Sequence, residues 1–296
     1  MSRFEAETFP VPWPPIDTRM NRPPSLRRRS LMLLALVVVG SLATVAVAQR
    51  GRWRREAPSE IVDRNGVPDW KNSEQFKHDV FTFVRIRYGS YGGRGFKWQT
   101  DYPDADLNFS YRLHELTALE VDPNGKILEL TDPQLFDYPF IYIIEPGDMW
   151  LEEAEVAALR KYLLNGGFLM VDDFWGEAEW EGFYRNIKRA FPDKEPVELP
   201  LEHEIFHIVY DLKKKPQVPS IHAWMSGYTA ERFDAQEPHY RGLFDDKGRM
   251  MAIICHNTDL GDGWEREGES PDYFREMSEK WSYPLGINIV TYAMTH

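Results

Sequence analysis

The sequence predicts an α/β fold in three layers, a mostly parallel sheet with helices on both faces. Short, continuously apolar runs such as Phe140–Ile144 (FIYII) and Phe168–Val171 read as strands buried on both sides. Amphipathic stretches of helical period separate them. Gly, Pro or Asn closes nearly every run. A buried strand followed by an amphipathic helix, repeated, is the pattern of a parallel sheet with helical crossovers.

The elements follow in chain order. Asp79–Tyr88 (DVFTFVRIRY) alternates and is rich in β-branched and aromatic residues, so it reads as a strand, and it runs into Gly89, Gly92, Gly93 and Gly95. Asp104 is expected to cap a helix reaching Leu119, with Leu107, Tyr111, Leu116 and Leu119 as its apolar positions. The strand Phe140–Ile144 stops at Glu145-Pro146-Gly147. A helix Leu151–Leu164 follows, closed by Asn165-Gly166-Gly167. Phe168–Val171 runs straight into Asp172-Asp173, and Glu177–Phe191 is amphipathic up to Pro192. Tyr240–Phe244 and Arg249–Cys255 flank Asp245-Asp246-Lys247-Gly248 as a hairpin added to the sheet. Tyr273–Trp281 and Leu285–Met294 read as closing helices.

Ahead of this domain, assigned to residues 76–296, the chain divides three ways. Residues 1–26 are proline-rich without apolar period and read as a disordered tail. Residues 27–49 contain Leu31–Ala48, an 18-residue charge-free run behind Arg27-Arg28-Arg29, which predicts one transmembrane or signal helix. Ala46-Val47-Ala48 fits a signal-peptidase site. Arg50, Arg52, Arg54 and Arg55 argue instead for a retained anchor, and Arg28-Arg29-Ser30-Leu31-Met32 is similar to a twin-arginine export signal. The expected location is the cell membrane, crossed once with the C-terminal domain extracytoplasmic, or secretion after cleavage. Residues 50–75 read as a polar linker.

Charge and cysteine content narrow the function. The net charge of −12 conceals two parts: ten Arg against Glu5, Glu7 and Asp17 make residues 1–55 +7, which leaves −19 for the remainder. So acidic a body is a poor partner for nucleic acid. The single cysteine, Cys255, excludes an intrachain disulfide framework and thiolate-rich metal sites.

Ligands in open α/β sheets bind beyond the C-terminal strand ends. Here those ends carry the glycine loop Tyr88–Lys97, Glu145, Asp172-Asp173-Phe174-Trp175, and His256-Asn257 with Asp259 and Asp262. Acidic and aromatic residues at such a cleft suit a cation, a metal or a polyol better than a phosphate. The glycine loop lacks the spacing of a nucleotide loop. Adjacent strand residues point to opposite sides, so only one of Asp172 and Asp173 can face the cleft directly. His203-Glu204-Ile205-Phe206-His207 matches H-E-x-x-H, which makes His203 and His207 weak candidate ligands for zinc or another divalent metal; no third ligand is evident beyond Glu231. No other cofactor is expected. Cys255 sits among Met251, Ala252, Ile253 and Ile254 and reads as a small buried residue. Asn257–Trp264 misses the calcium-loop spacing and reads as a structural loop.

Several segments together resemble the bacterial domain-of-unknown-function family 4159. They are Asp101–Phe109 with Arg112-Leu113, Gly166–Gly176, the His203/Phe206/His207 cluster, and Asn257–Asp262. The resemblance spans about Phe76 to His296. It implies a class I glutamine-amidotransferase-like or flavodoxin-like α/β fold, exported or membrane-anchored, without an established activity. In true amidotransferases a cysteine stands at the sharp strand-end turn; here Asp172-Asp173-Phe174 stands there, so glutamine hydrolysis is not expected. The candidate cleft residues are Asp104, Asn108, Arg112, Asp172, Asp173, Trp175, His203, His207, Asn257, Asp259 and Asp262. Three functions fit them: binding of a ligand or partner without chemistry, a hydrolase using Asp172/Asp173 with His203/His207, or a structural part of an envelope complex alongside other envelope proteins.

Overall fold

A computed structural model describes residues 63–76, 79–90 and 96–296. The expected tail, the segment Leu31–Ala48 and the middle of the glycine loop, residues 91–95, lie outside them. Among the described residues no helix is long and apolar enough to cross a membrane.

Nine strands are present among these residues: β1 (Val84–Ile86), β2 (Gly89–Ser90), β3 (Lys126–Leu128), β4 (Phe140–Ile144), β5 (Met149–Trp150), β6 (Phe168–Asp172), β7 (Val197–Glu198), β8 (His239–Phe244) and β9 (Met250–His256). Seven form one sheet in the order β3-β1-β4-β6-β9-β8-β7, while β2 and β5 pair separately. From β3 to β9 the pairing is parallel; β8 and β7 add antiparallel. Numbered by chain position, the parallel strands lie in the order 2-1-3-4-5. The winding direction therefore reverses between β1 and β4, where the loops leaving the strands part and a crevice opens.

The helices are α1 (Asp104–Leu116), α2 (Glu153–Leu164), α3 (Gly176–Ala190), α4 (Ile221–Met225), α5 (Leu260–Glu265) and α6 (Tyr283–Thr295). Both faces of the sheet are covered. Phe83, Phe140, Tyr142, Met170 and Ile253 share one buried cluster with Phe109 of α1, Trp264 of α5 and Leu285 of α6. Ile141, Ile143, Leu169 and Val171 point the other way and are also buried, outside that cluster, as are Leu159 of α2 and Ile187 of α3. Alternate strand residues that are all buried are what a sheet between two helical layers requires.

Several boundaries differ from the sequence reading, each for a local reason. Asp104 does not cap α1: the N-cap is Pro103, and Asp104 instead accepts from Asn65 Nδ2 at 2.6 Å. The helix stops at Leu116, because Thr117 Oγ1 donates to Leu113 O at 2.6 Å and takes the place of the next helical amide. α2 begins at Glu153, set by a reciprocal capping box between Glu152 and Glu155. α3 begins at Gly176 and ends at Ala190. Only Val84–Ile86 of the ten-residue first run is ladder-paired, with one further bridge between Phe81 and Val121. The two expected closing helices are one continuous helical run, Pro271–Tyr273, a π-helical Phe274–Ser282 and then α6. Strands β2, β3, β5 and β7 are too short to show a period. Residues 63–75, expected as free linker, pack onto the domain: Trp70 Nε1 donates to Val121 O at 2.8 Å, and Arg64 Nη1 donates to Pro123 O at 2.9 Å.

One close approach shapes the strand-end surface. A Cβ on Gly182 would lie 1.8 Å from Gly147 O, so α3 presses directly on the turn that follows β4. That contact packs Glu179 of α3 against Gly147 and places it in the same cleft as Glu145.

Candidate functional site

Beyond the C-terminal ends of β1, β4, β6 and β9 lies an open cleft of about 270 Å³. Lys97, Thr100 and Asp101 reach it from the loop after β1, and Glu145 from the turn after β4. Asp173 and Trp175 follow β6, Asp259 and Asp262 follow β9, and Ser220, Glu231 and Arg232 come from the segment around α4.

The backbone at these ends is held in an unusual shape. Glu145, Asp173 and Asn257, each the first residue past its strand, have φ of 45°, 54° and 62°, and Asp101 has 61°. Non-glycine residues in the left-handed region cost free energy and persist where the surroundings impose them. At Glu145 the imposing contacts are visible: Tyr88 Oη donates to Glu145 O at 2.7 Å, Thr100 Oγ1 donates to Glu145 Oε1 at 2.7 Å, and Lys97 Nζ bonds Oε2. Asn257 spans two segments, accepting from Gly176 N at 2.9 Å and donating to Glu237 O at 2.8 Å.

Asp101 is placed from below by a buried cation. Arg85 of β1 is fully buried, its Nε 3.0 Å from both oxygens of Asp106, and its Nη1 donates to Trp98 O at 3.0 Å and Thr100 O at 2.9 Å. The guanidinium thus ties α1 and the 98–100 loop to the sheet. Asp101 follows at the loop's end.

Three carboxylates then converge. Asp101, Asp173 and Asp259 offer oxygens all within 4.8 Å of one another, and Asp101, Asp262 and Glu265 form a second group of the same tightness. Asp259, Asp262 and Glu265 come from one stretch: Asp259 caps α5 by accepting from Asp262 N at 2.7 Å, and a spacing of three keeps the acids on one side of the helix. Gly261 makes room, since a Cβ there would lie 2.7 Å from Asp101 Oδ2. Asp172 Oδ2, underneath, accepts from Gly261 N at 3.0 Å and from Tyr142 Oη at 3.1 Å.

The cluster has little compensation. Asp173 and Asp259 are almost fully buried and Asp101 is half-buried, yet among the described residues none of the three has an ion pair. Lys97 is engaged with Glu145, Arg232 with Glu179, and Arg266 with Glu265 and Asp262. Asp101 Oδ2 and Asp172 Oδ1 are buried without any hydrogen-bond partner. Asp259 uses Oδ1 on the α5 amide, and Oδ2 receives no donor among the described residues. Burial first, then repulsion from neighbouring carboxylates, pushes Asp101, Asp173 and Asp259 well above the ordinary carboxylate range. Burial raises Asp172 to about 7 despite the backbone amides of α5 that bind its charged form.

Of the residues singled out from sequence, Glu145, Asp173, Trp175, Glu231, Asp259 and Asp262 line the cleft; Asp172 lies beneath it. Trp175 Nε1 donates to Asp173 Oδ1 at 3.0 Å and so orients it. Asn257 shapes the turn. Asn108 does not reach the cleft, because its Nδ2 donates to Trp264 O at 2.9 Å and holds α1 to α5. Arg112 pairs with Glu267, and Asp104 is turned toward Asn65. The zinc-motif reading is corrected: His203–His207 spans a 3₁₀ turn, Glu204–Phe206, where two imidazoles four residues apart do not share a helix face. His203 Nδ1 accepts from Ile205 N at 3.2 Å; His207 bonds Asp211 Oδ1 and Leu201 O, both at 2.7 Å. Neither lines the cleft. Asn257–Trp264 is not merely a loop, since all of α5 but its last residue falls within it. Asp101, named only within the family-resembling segment Asp101–Phe109, and Glu265 were not among the candidate cleft residues. The signals were there: Asp101 lies just past the glycine loop at a strand end, and Asp259-x-x-Asp262-x-x-Glu265 is a helical repeat of acids.

A family model described as "Domain of unknown function (DUF4159)" matches residues 82–294. The chain belongs to this family. The match covers every strand of the sheet and every segment that builds the cleft. No curated protein matches the chain.

Proposed function

We propose that this chain is a membrane-tethered, extracytoplasmic domain that binds a hard divalent cation in its strand-end cleft and, through it, an oxygen-bearing ligand. The observation that carries the reading is the convergence of Asp101, Asp173 and Asp259 from three separate segments to within 4.8 Å, none of them in an ion pair among the described residues. Buried carboxylates are tolerated when paired or when they coordinate a metal. Oxygen-only ligands select magnesium, calcium or manganese over zinc. The tether rests on Leu31–Ala48 with its arginine flanks.

The 2-1-3-4-5 strand order supports kinship with flavodoxin-like and amidotransferase-like sheets, but not glutamine hydrolysis. Cys255 lies inside β9 opposite Tyr240, fully buried, and burial pushes its thiol well up. A thiol so placed is no nucleophile. A hydrolase using Asp173 would have to work without His203 and His207.

The test is calorimetric titration of the full chain, stripped with chelator, with Mn²⁺, Mg²⁺ and Ca²⁺. A dissociation constant on the order of 1–100 µM is expected for at least one of them. Asp173→Asn should weaken it at least tenfold. Absence of binding by all three ions at about 10 mM, far above the weakest modules of this class, would overturn the reading.

A further inference from the structure

The two carboxylate groups share Asp101. Its carboxylate lies within 4.8 Å of those of Asp173 and Asp259 in one group and of Asp262 and Glu265 in the other. A carboxylate common to two ligand sets is the arrangement by which proteins hold a pair of divalent ions close together. The groups differ in what stands against them. Asp173 and Asp259 have no ion pair among the described residues, the nearby Lys97 and Arg232 being engaged with Glu145 and Glu179. On the α5 side Arg266 Nε lies 2.7 Å from Glu265 Oε2 and 3.4 Å from Asp262 Oδ1, and so supplies a positive charge where an ion would sit. Glu265 Oε2 is buried and takes no hydrogen bond, its contact with Arg266 being ionic only. Asp101 Oδ2, also buried and without a donor, belongs to the residue common to both groups.

We infer that the cleft holds two hard divalent cations bridged by Asp101, the second on Asp262 and Glu265 in competition with the Arg266 guanidinium. The inference rests on the cation-binding reading above and extends it from one ion to two. It makes binding sequential. The first ion enters on Asp101, Asp173 and Asp259. The second must displace Arg266, which is partly exposed and has Glu269 as an alternative partner at 3.2 Å. The second affinity is therefore the weaker one, set by how firmly Arg266 holds its place. The second ion also completes an open pair of Lewis-acidic centres, able to take an anionic oxygen ligand across both.

Titration of the full chain with Mn²⁺, read by calorimetry and by counting bound ions after gel filtration, decides the matter. Wild type should take up two ions per chain with separated affinities. Glu265→Gln should take up one, with the first affinity unchanged. Arg266→Gln should take up two, the second bound at least fivefold more tightly. Both substitutions fall on partly exposed side chains, and circular dichroism confirms the fold of each. A single ion per wild-type chain, indifferent to Glu265→Gln and Arg266→Gln, would overturn the pair while leaving the one-ion reading intact. No bound ion in any of the three proteins would overturn the reading on which the pair rests.

Discussion

His256 shows how one side chain is committed to a single protonation state. Its Nε2 donates to Gly176 O at 3.1 Å while Nδ1 faces Arg241 Nη1 at 3.2 Å, so a second proton would be set against a guanidinium. Burial is the largest cause and Arg241 adds to it, lowering the group from 6.5 to about 4. In the unfolded chain the imidazole titrates near 6.5. Between those values the unfolded state therefore takes up a proton that the folded state refuses. This contribution to stability is full above pH 6.5 and is lost as pH falls toward 4, by no more than about 3 kcal/mol at 1.36 kcal/mol per pH unit. Urea denaturation between pH 7 and pH 4.5 should show the decline, and His256→Gln should flatten it. An unchanged slope in the variant would contradict the assignment. From sequence, His256 was simply a strand-end residue; that its two nitrogens are already used depends on Gly176 and Arg241, far away in the chain.

At the scale of elements, the cleft depends on α1 and β1 being clamped through Arg85 and Asp106. Both side chains are buried, and burial alone would push Asp106 up and Arg85 down. Arg85 is nevertheless held charged by Asp106, and it also takes the carbonyls of Trp98 and Thr100. Asp106→Ala would leave the guanidinium buried without its counter-ion. A loss of about 3–5 kcal/mol in urea denaturation is expected. A change below about 1 kcal/mol, the level of an exposed pair, would show that the clamp is dispensable. Strands β4 and β6 and helices α2 and α3 were legible to within two residues, because a continuously apolar run marks a strand buried on both faces and an amphipathic stretch carries the helical period. Strands β3 and β7 were not, since KIL and VE pair only because the sheet offers them an edge. The start of the folded part was also misplaced, as Arg64 and Trp70 sit in a polar stretch and gain meaning only by docking on residues 121–124.

For the whole molecule, the acidic remainder of −19 places several of its carboxylates in one cleft rather than spreading them all over the surface. A cation that binds there binds only the folded state, so it stabilises the fold by mass action: about 2.7 kcal/mol at a hundred times the dissociation constant. For a domain of this size that corresponds to a rise of about 5–10 °C in Tm. Thermal unfolding with and without Mn²⁺ measures it. Asp101→Asn should raise the Tm of the chelator-treated chain, by relieving repulsion, and abolish the gain from Mn²⁺; no gain in wild type would count against a cation in the cleft. By itself the sequence determined the α/β class, the principal strands and helices, and that their ends would be acidic, because apolar period and strand-end position are local properties of a chain. Which acids meet was decided only by tertiary structure. Asp101, Asp173 and Asp259 are remote in sequence, and they converge because the sheet reverses its winding beside β1, Gly261 leaves room for Asp101, and Arg85 pins the loop that carries it.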